Sequence, residues 1–501
     1  MAQDTVPPPA GEADATVEYI EDEDADADYN TRLSDVDEEE QSGGVLHKHV
    51  GNAGLASSVA NLSNTILGAG ILAMPYALKS DGIFLGMLVI AVAGSTAAMG
   101  LYLQYRCSRY IERGGASFFA VAQKTYPQIA VAFDAAIAVK CFGVGVSYLI
   151  IIGDLMPQVV GDFVYGGVDV PASVVDSRRV WITICMVLLV PLCFLRRLDS
   201  LKYTSVVALF SIAYLTVLVV GHFLGDSGTG VDRGGEALRL GPQSLAGVLS
   251  TLSIVVFGFT CHQNMFSIVN ELKDGGRQES VLAVIGTSIG SAVVLYAIVG
   301  VAGYATYGDA VGGNIISMYG SSFSAAVGRA AIVVLVLFSY PLQCHPCRAS
   351  LDHIYTHFVG GARNARASLH AIPTRRFVVL TAAIMVLSFA VAMAVTSLEK
   401  VLAFVGATGS TSISFILPGL FGYKLLGSAT AVPVLGEDGL AVRAGEGEGE
   451  ALLGAPEGAP RHVPRRGPDG EGGLIKYASV ALAAWGVFIM VVCLGTNIAL
   501  L

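Results

Sequence analysis

Eleven separate runs of apolar residues, each about as long as a bilayer is thick, constrain this chain more than any other feature. They lie near 54–78, 83–105, 129–156, 179–198, 203–224, 243–270, 281–306, 324–347, 376–397, 400–424 and 474–498, and carry few or no charges. About 20 residues of α-helix rise about 30 Å, the depth of the hydrocarbon core. Lipid offers no water to a bare N–H or C=O, so each run must satisfy its backbone internally. The pattern predicts an all-α polytopic membrane protein with eleven transmembrane helices. With 53% hydrophobic and 14% charged residues, the composition agrees. The first run follows some fifty polar residues, which argues against a cleaved signal peptide.

Charge then orients the chain. Much of the net charge of -10 comes from "EDEDADADYN" and "DVDEEEQ" within the first 41 residues. Such a tail, residues 1–50, is expected to be disordered and cytosolic. With a cytosolic N-terminus, the cytosolic segments hold 22 of the 30 Lys and Arg residues, as the positive-inside rule requires. An odd number of spans then places the C-terminus on the opposite face. The expected organisation is a ten-helix core over 51–425, a disordered Gly/Pro/Glu-rich cytosolic loop over 426–473, and an eleventh helix within 474–501. In that loop "EGEALL" sets Glu448 four positions before Leu452 and Leu453. This fits an acidic dileucine signal for sorting adaptors, or else a spacer without meaning.

Several chemistries are excluded. The eight cysteines lie in or beside spans, with none in the outer loops, so no disulfide framework is expected there. "CHPC" at 344–347 lacks a second ligand pair, so no metal is expected. No metal triad, paired carboxylates or nucleophile and base set occupies the spans, which argues against an enzyme. Neither a cofactor nor a nucleic-acid partner is expected.

Two runs carry features that an unbroken helix would avoid. In "NTILGAGILAMP" (64–75), Gly68 and Gly70 flank Ala69, so the winding can open there. Opening frees N–H groups at the start of one half-helix, which suit a carboxylate, and carbonyls at the end of the other. Those carbonyls, with Asn64 and Thr65, suit an ammonium or a small cation. The alternative is a small-residue packing face for a neighbouring helix. In "VVFGFTCHQNMFSIVNELKD" (255–274), Gly258, Thr260, Cys261, His262, Gln263 and Asn264 bring polar groups to membrane depth, where they should face protein or water. These are the first and sixth runs. If the core is two five-helix halves, they correspond, which points to a transporter site at the midplane.

Other polar residues carry two readings each. His262 either takes part in proton coupling or is a neutral histidine bonding the broken backbone. Lys140 pairs with an anionic substrate group, replaces sodium as a fixed cation, carries a proton, or is a structural lysine. Ser339, above Pro341 and Pro346, either ligates an ion or marks an ordinary proline kink. Glu271 and Arg348 end helices on the cytosolic side, where they either close a salt bridge or stay solvated.

Four stretches, "NLSNTILGAGILAMPYAL", "CFGVGVSYLIIIGDLMP", "FTCHQNMFSIVNELKD" and "SYPLQCHPCRASLD", together resemble the amino acid/auxin permease superfamily. The likeness is greatest to fungal-type vacuolar amino-acid transporters and sodium-coupled neutral amino-acid transporters. The resemblance implies a leucine-transporter-type 5+5 inverted-repeat core with helices 1 and 6 broken, plus one extra C-terminal helix. It further implies alternating access that carries amino acids. Asn64, Thr65, Gly68, Ala69 and Gly70 would contact the carboxylate and amine of the substrate, and Phe257, Gly258 and Phe259 would close over it. In the sodium-coupled branch an Asn of the first helix and a Thr of the eighth hold the ion. Asn64 matches, whereas Ser339 stands where Thr is expected. Lys140 and the cysteine-free outer loops depart from that branch and favour a proton. The expectation is therefore a proton-linked amino-acid transporter of a vacuolar or lysosomal membrane. The alternatives are a sodium-coupled plasma-membrane transporter, or an amino-acid sensor signalling through its acidic tail.

Overall fold

Every apolar run holds a helix in the computed structural model, which describes residues 51–165, 177–196, 204–225, 238–364, 372–427, 433–435 and 469–500. The acidic tail and the Glu448, Leu452 and Leu453 motif lie outside the described residues. The first run is two helices, α1 (Leu55–Ile66) and α2 (Gly70–Asp81), bent by 52° at the break between them. Then come α3 (Ile83–Ser108), the short α4 (Phe118–Thr125), α5 (Ala130–Tyr165), α6 (Arg178–Cys193) and α7 (Thr204–Gly225). The sixth run divides into α8 (Leu245–Gly258) and α9 (Met265–Glu271), with a 3-10 turn at His262–Asn264 between them. Three long helices follow, α10 (Gln278–Tyr307), α11 (Phe323–Asn364) and α12 (Thr374–Ala394). The tenth run comprises α13 (Leu398–Val405), two π-helical segments at Gly406–Ser410 and Ser412–Ile416, and α14 (Leu417–Leu425). The last helix is α15 (Asp469–Ala499).

Among the described residues nine spans are long and apolar enough to cross a bilayer, and the bent α1/α2 pair makes ten. The remaining run is represented by α6, whose 16 residues rise only about 24 Å. Four helices continue through internal prolines: α2 contains Pro75, α5 Pro157, α6 Pro191, and α11 Pro341 and Pro346. The loss of one ladder hydrogen bond at each does not end a helix packed along its length.

Polar contacts between elements sort onto two faces. On one lie Arg329 with Asp162 (2.5 Å), Arg178 with Asp154 (3.1 Å), Arg239 with Asp309 (2.8 Å), and Lys79 with the Val311 carbonyl (3.3 Å). On the other lie His353 with Asp134 (3.3 Å), Arg376 with Asp352 (3.4 Å), and Arg109 with the Leu435 carbonyl (3.2 Å). The first set comes from loops and helix ends expected on the non-cytosolic side, the second from those expected on the cytosolic side. The end of the bundle that carries the first set is the Arg329 face.

Apolar side chains cover the outside of the bundle. On α7 the exposed Phe210, Val217 and Leu224 are spaced by seven residues and share one side of the helix. On α15, Val480, Val487 and Val491 form a similar stripe. In water such patches would drive association; against acyl chains they are the expected surface. Small residues seat the last helix on the bundle, because a Cβ at Gly419 would lie 2.6 Å from the Ser479 carbonyl oxygen. Inside, α2 packs between α8 and α10, and the first π-helical segment packs between α5 and α8.

Candidate functional site

The two interrupted helices meet at their breaks. At the end of α1, Leu67 leaves the helical region (φ -79°, ψ 47°), and the Gly68 N–H bonds the Ile66 carbonyl at 2.8 Å. At the end of α8, Phe259 (φ -83°, ψ 3°) and Cys261 (φ -128°, ψ 5°) leave it likewise. Gly70 opens α2 and Gly258 ends α8, and a Cβ on Gly70 would lie 2.6 Å from the Gly258 Cα. Neither Gly68 nor Gly70 has a positive φ. The first break therefore does not draw on the left-handed freedom of glycine. Gly70 is needed for close approach, so the packing reading and the broken-helix reading describe the same contact.

Loss of winding leaves terminal carbonyls in want of donors. Tyr296 of α10, fully buried, places its Oη 2.6 Å from the Ile66 oxygen and 2.8 Å from the Gly258 oxygen. The single hydroxyl proton is thus shared, as a bifurcated bond, between a carbonyl from each break. Phe259 packs edge-on to the Tyr296 ring, with centroids 5.0 Å apart. A second tie runs from the Asn264 amide, which donates to Thr65 Oγ1 at 2.6 Å, while Thr65 donates to the Asn61 carbonyl at 3.0 Å. Tyr296→Phe is expected to leave both carbonyls buried without their donor and to destabilise the fold by about 1–3 kcal/mol. Thermal unfolding of the purified protein in detergent measures this, and an unchanged transition would mean that the hydroxyl bears no load.

Beside this junction lies a cavity of about 20 Å³. The first break contributes Thr65, Ile66, Gly68, Ala69 and Gly70 to its wall, and the sixth run contributes Phe257 and Thr260. The remainder comes from Lys140, Val144 and Tyr148 of α5 and Gln343 of α11. A volume of this size holds about one water molecule, so any larger guest requires the helices to part. Lys140 is buried and donates to Gln343 Oε1 at 3.4 Å. Among the described residues it pairs with no carboxylate. The Lys140 amine, the N-terminus of α2 and the carbonyl ends of α1 and α8 together offer both poles that a zwitterion needs.

The family model described as transmembrane amino acid transporter protein matches residues 51–432. The chain belongs to that family. Its relatives include vacuolar amino acid transporter 5 of Schizosaccharomyces pombe, 45% identical over 78% of this chain and 90% of that protein. Vacuolar amino acid transporter 6 of Saccharomyces cerevisiae is 39% identical over 88% of this chain and 98% of its own length. Among solved structures, MHP1, a nucleobase-cation-symport-1 family transporter in a closed conformation with bromovinylhydantoin bound, superposes with a TM-score of 0.51. At 15% identity, over 75% of this chain and 79% of that one, the likeness is one of fold. Members of the family are transporters, and the chain is not an enzyme.

Of the residues singled out in the sequence, the cavity unites Thr65, Gly68, Ala69, Gly70, Phe257 and Lys140. Gly258 lies behind Gly70. Asn64 is half-buried on α1 outside the cavity wall. Ser339 lies beside the Tyr148 hydroxyl, as does Gln343. His262 is fully buried with Nε2 3.1 Å from the Ala97 carbonyl of α3, so Nε2 carries the proton; Nδ1 has no hydrogen-bond partner among the described residues. Its ring thus bonds an intact helix rather than the broken backbone. Arg348 does not pair with Glu271. It donates to the Cys193 carbonyl (3.1 Å) and Thr381 Oγ1 (2.8 Å), with its guanidinium 3.9 Å from the centroid of Phe377. Glu271 instead uses its backbone carbonyl, which accepts from the Ala53 N–H at 2.8 Å.

Sequence reasoning did not single out Tyr148, Gln343 or Tyr296, nor the π-helical turns of the tenth run. The turns abut the site: a Cβ at Gly409 would lie 2.7 Å from the backbone nitrogen of Lys140, and one at Gly406 would lie 3.2 Å from the Phe257 Cβ. Such π-helical bulges concentrate at functional sites. The small and hydroxyl residues of "GATGSTSIS" (406–414) were the available signal.

Proposed function

We propose that this chain is a secondary active transporter that moves amino acids across a vacuolar or lysosomal membrane by alternating access, driven by protons. The observation that carries the reading is the convergence of both helix breaks on one buried cavity beside Lys140, in a chain whose relatives are named vacuolar amino acid transporters. The substrate carboxylate faces the N-terminus of α2 and Lys140, and its ammonium faces the carbonyls of Ile66 and Gly258. Asn64, Thr65, Gly68, Ala69 and Gly70 form one wall, and Phe257, Gly258 and Phe259 form the other. The core is a 5+5 inverted repeat, with α6 as its fourth span and α15 as an eleventh. The N-terminus is cytosolic, which puts the Arg329 face in the lumen.

Protons are favoured over sodium because Lys140, on the cavity wall beside the first break, carries an amine that can itself take up and release a proton. His262, next to the second break, is a further candidate for the relay, and Asn64 and Ser339 are the ligands that sodium would require. Reconstitution in liposomes tests the proposal. A pH gradient is expected to drive accumulation of labelled neutral amino acids, abolished by a protonophore and indifferent to sodium. Absence of flux under both pH and sodium gradients, from protein shown to be folded, would overturn it.

A further inference from the structure

Asp81 ends α2 on the Arg329 face and is wholly buried. Its Oδ1 lies 2.6 Å from Thr251 Oγ1 on α8, while its Oδ2 is buried with no hydrogen-bond partner. The same Thr251 oxygen lies 2.9 Å from the Gly247 carbonyl and 3.2 Å from that of Val248. A hydroxyl has one proton to give. Were Asp81 ionised, Thr251 would have to spend that proton on Oδ1, and a charged Oδ2 would remain buried and bare, an expensive arrangement in any interior. Were Asp81 protonated, its O–H would donate to Thr251, and Thr251 would donate to Gly247 in the ordinary back-bonded geometry of a helical threonine. Only a neutral carbonyl oxygen would then lack a partner.

The surroundings supply no counter-ion. The packed stretch of α8, Leu245–Gly258, contains no titratable residue, and α3 carries its single charge, Arg106, at its far end. In the segment before α8, Arg239 is engaged by Asp309 at 2.8 Å, and Gln243 donates to Asp309 at 3.1 Å. On α10, Tyr304 accepts from the Arg239 N–H at 3.2 Å, and Tyr307 and Glu279 complete its titratable groups with the buried Tyr296. On α2 itself, Lys79 donates to the Val311 carbonyl. From α13, Glu399 and Lys400 line a cavity of about 130 Å³ with Tyr76 and Ser250. On α15, Asn497 is bonded to Ser250 and Ser253. Among the described residues none of these groups forms an ion pair or hydrogen bond with Asp81. Neither Asp81 nor Thr251 lines that cavity, and both are buried, so α2 and α8 must part before the carboxyl can meet water.

We propose that Asp81 is a proton-binding site whose proton, shared with Thr251, closes α2 against α8, and whose release to water on the Arg329 face accompanies the opening of that face. The opening and closing rest on the transport reading; the protonated carboxyl does not. The closed form is present at low pH and is lost as pH on the Arg329 face rises, because the carboxylate left behind must seek water.

Two measurements on the full chain in liposomes decide the matter. In pH-dependent infrared difference spectra, the wild type is expected to show a protonated-carboxyl C=O band that titrates, absent from Asp81→Asn and shifted but retained in Thr251→Val. In amino-acid exchange at matched concentrations, with pH varied on the Arg329 face alone, the wild-type rate is expected to fall by up to about tenfold per pH unit above the transition, the limit for one proton. Asp81→Asn donates to Thr251 without needing a proton, so its rate should be flat. A band that survives Asp81→Asn, or a variant that keeps the wild-type pH slope, overturns the proposal. A wild type that exchanges nothing at any pH defeats the transport reading instead, while the infrared band still settles the proton.

Discussion

Gly70→Val is expected to abolish amino-acid transport, by about 100-fold or more, while leaving the protein folded in the membrane. The first carbon of any side chain at this position would come within 2.6 Å of the Gly258 Cα and 3.5 Å of Tyr296 Oη. The obstacle is backbone, so no rotamer change relieves it. Nor can a second substitution compensate, because residue 258 has no side chain to remove. The two half-helices must therefore separate, and the Ile66 and Gly258 carbonyls lose their common donor. A displacement of about 1 Å at reacting or binding groups commonly reduces rates by about 100-fold. Insertion should survive, since the apolar runs and the outer contacts are untouched. Gly286→Val is the matched control: it places the same side chain within α10, where a Cβ would meet nothing within 4 Å. Uptake by reconstituted protein, with gel filtration as the check on folding, separates the outcomes. Wild-type uptake by Gly70→Val would mean that the site lies elsewhere.

That junction was half legible beforehand, and the reason is physical. Hydropathy reports depth directly, so a run such as 83–105 announces a helix without reference to any neighbour. The second break was legible for the same reason, since the polar stretch from Thr260 to Asn264 is costly in lipid; Gly68 and Gly70 marked the first, though Gly70 serves close approach and neither has a positive φ. Depth does not report azimuth. Tyr148, Gln343 and Tyr296 sit on unbroken helices, and only packing reveals that they turn toward the breaks. His262 shows the converse, being at the right depth but turned toward Ala97 of α3. Arg348 has a different neighbour from the one expected, because a guanidinium finds carbonyls and an aromatic face as readily as a carboxylate. Asp81 falls three residues past the apolar run, where a carboxylate ordinarily reads as a solvated helix end. Its burial arises from the segment carrying Arg239 and Gln243, which folds over α2 through the Gln243 N–H to Ser80 carbonyl bond of 2.9 Å.

Arg329→Ala is the substitution expected to destabilise the fold most, by about 3–5 kcal/mol, the range for removing one partner of a buried ion pair. Arg329 is 2% exposed, and its guanidinium binds Asp162 Oδ2 at 2.5 Å, with Asp162 itself 9% exposed. Further donors reach the carbonyls of Tyr319 and Ile316, so the side chain joins the end of α5, the segment before α11 and α11 itself. Removing it strands a carboxylate whose other oxygen has only the Ser321 hydroxyl, at 2.6 Å. Salt should matter little, because a buried pair is poorly screened. By contrast the more exposed Arg239–Asp309 pair, at 45% and 28% exposure, should contribute no more than about 1 kcal/mol. The double variant Arg329→Met, Asp162→Asn should recover much of the loss, since the penalty comes from the unpaired charge more than from the missing attraction. Unfolding of the wild type, Arg329→Met, Asp162→Asn and the double variant in one detergent completes the cycle, with Arg329→Ala measured beside them. If the double variant were as unstable as Arg329→Ala, the loss would lie in the freed carbonyls of Ile316 and Tyr319, and the Arg329 face would be held by backbone capping instead of by charge.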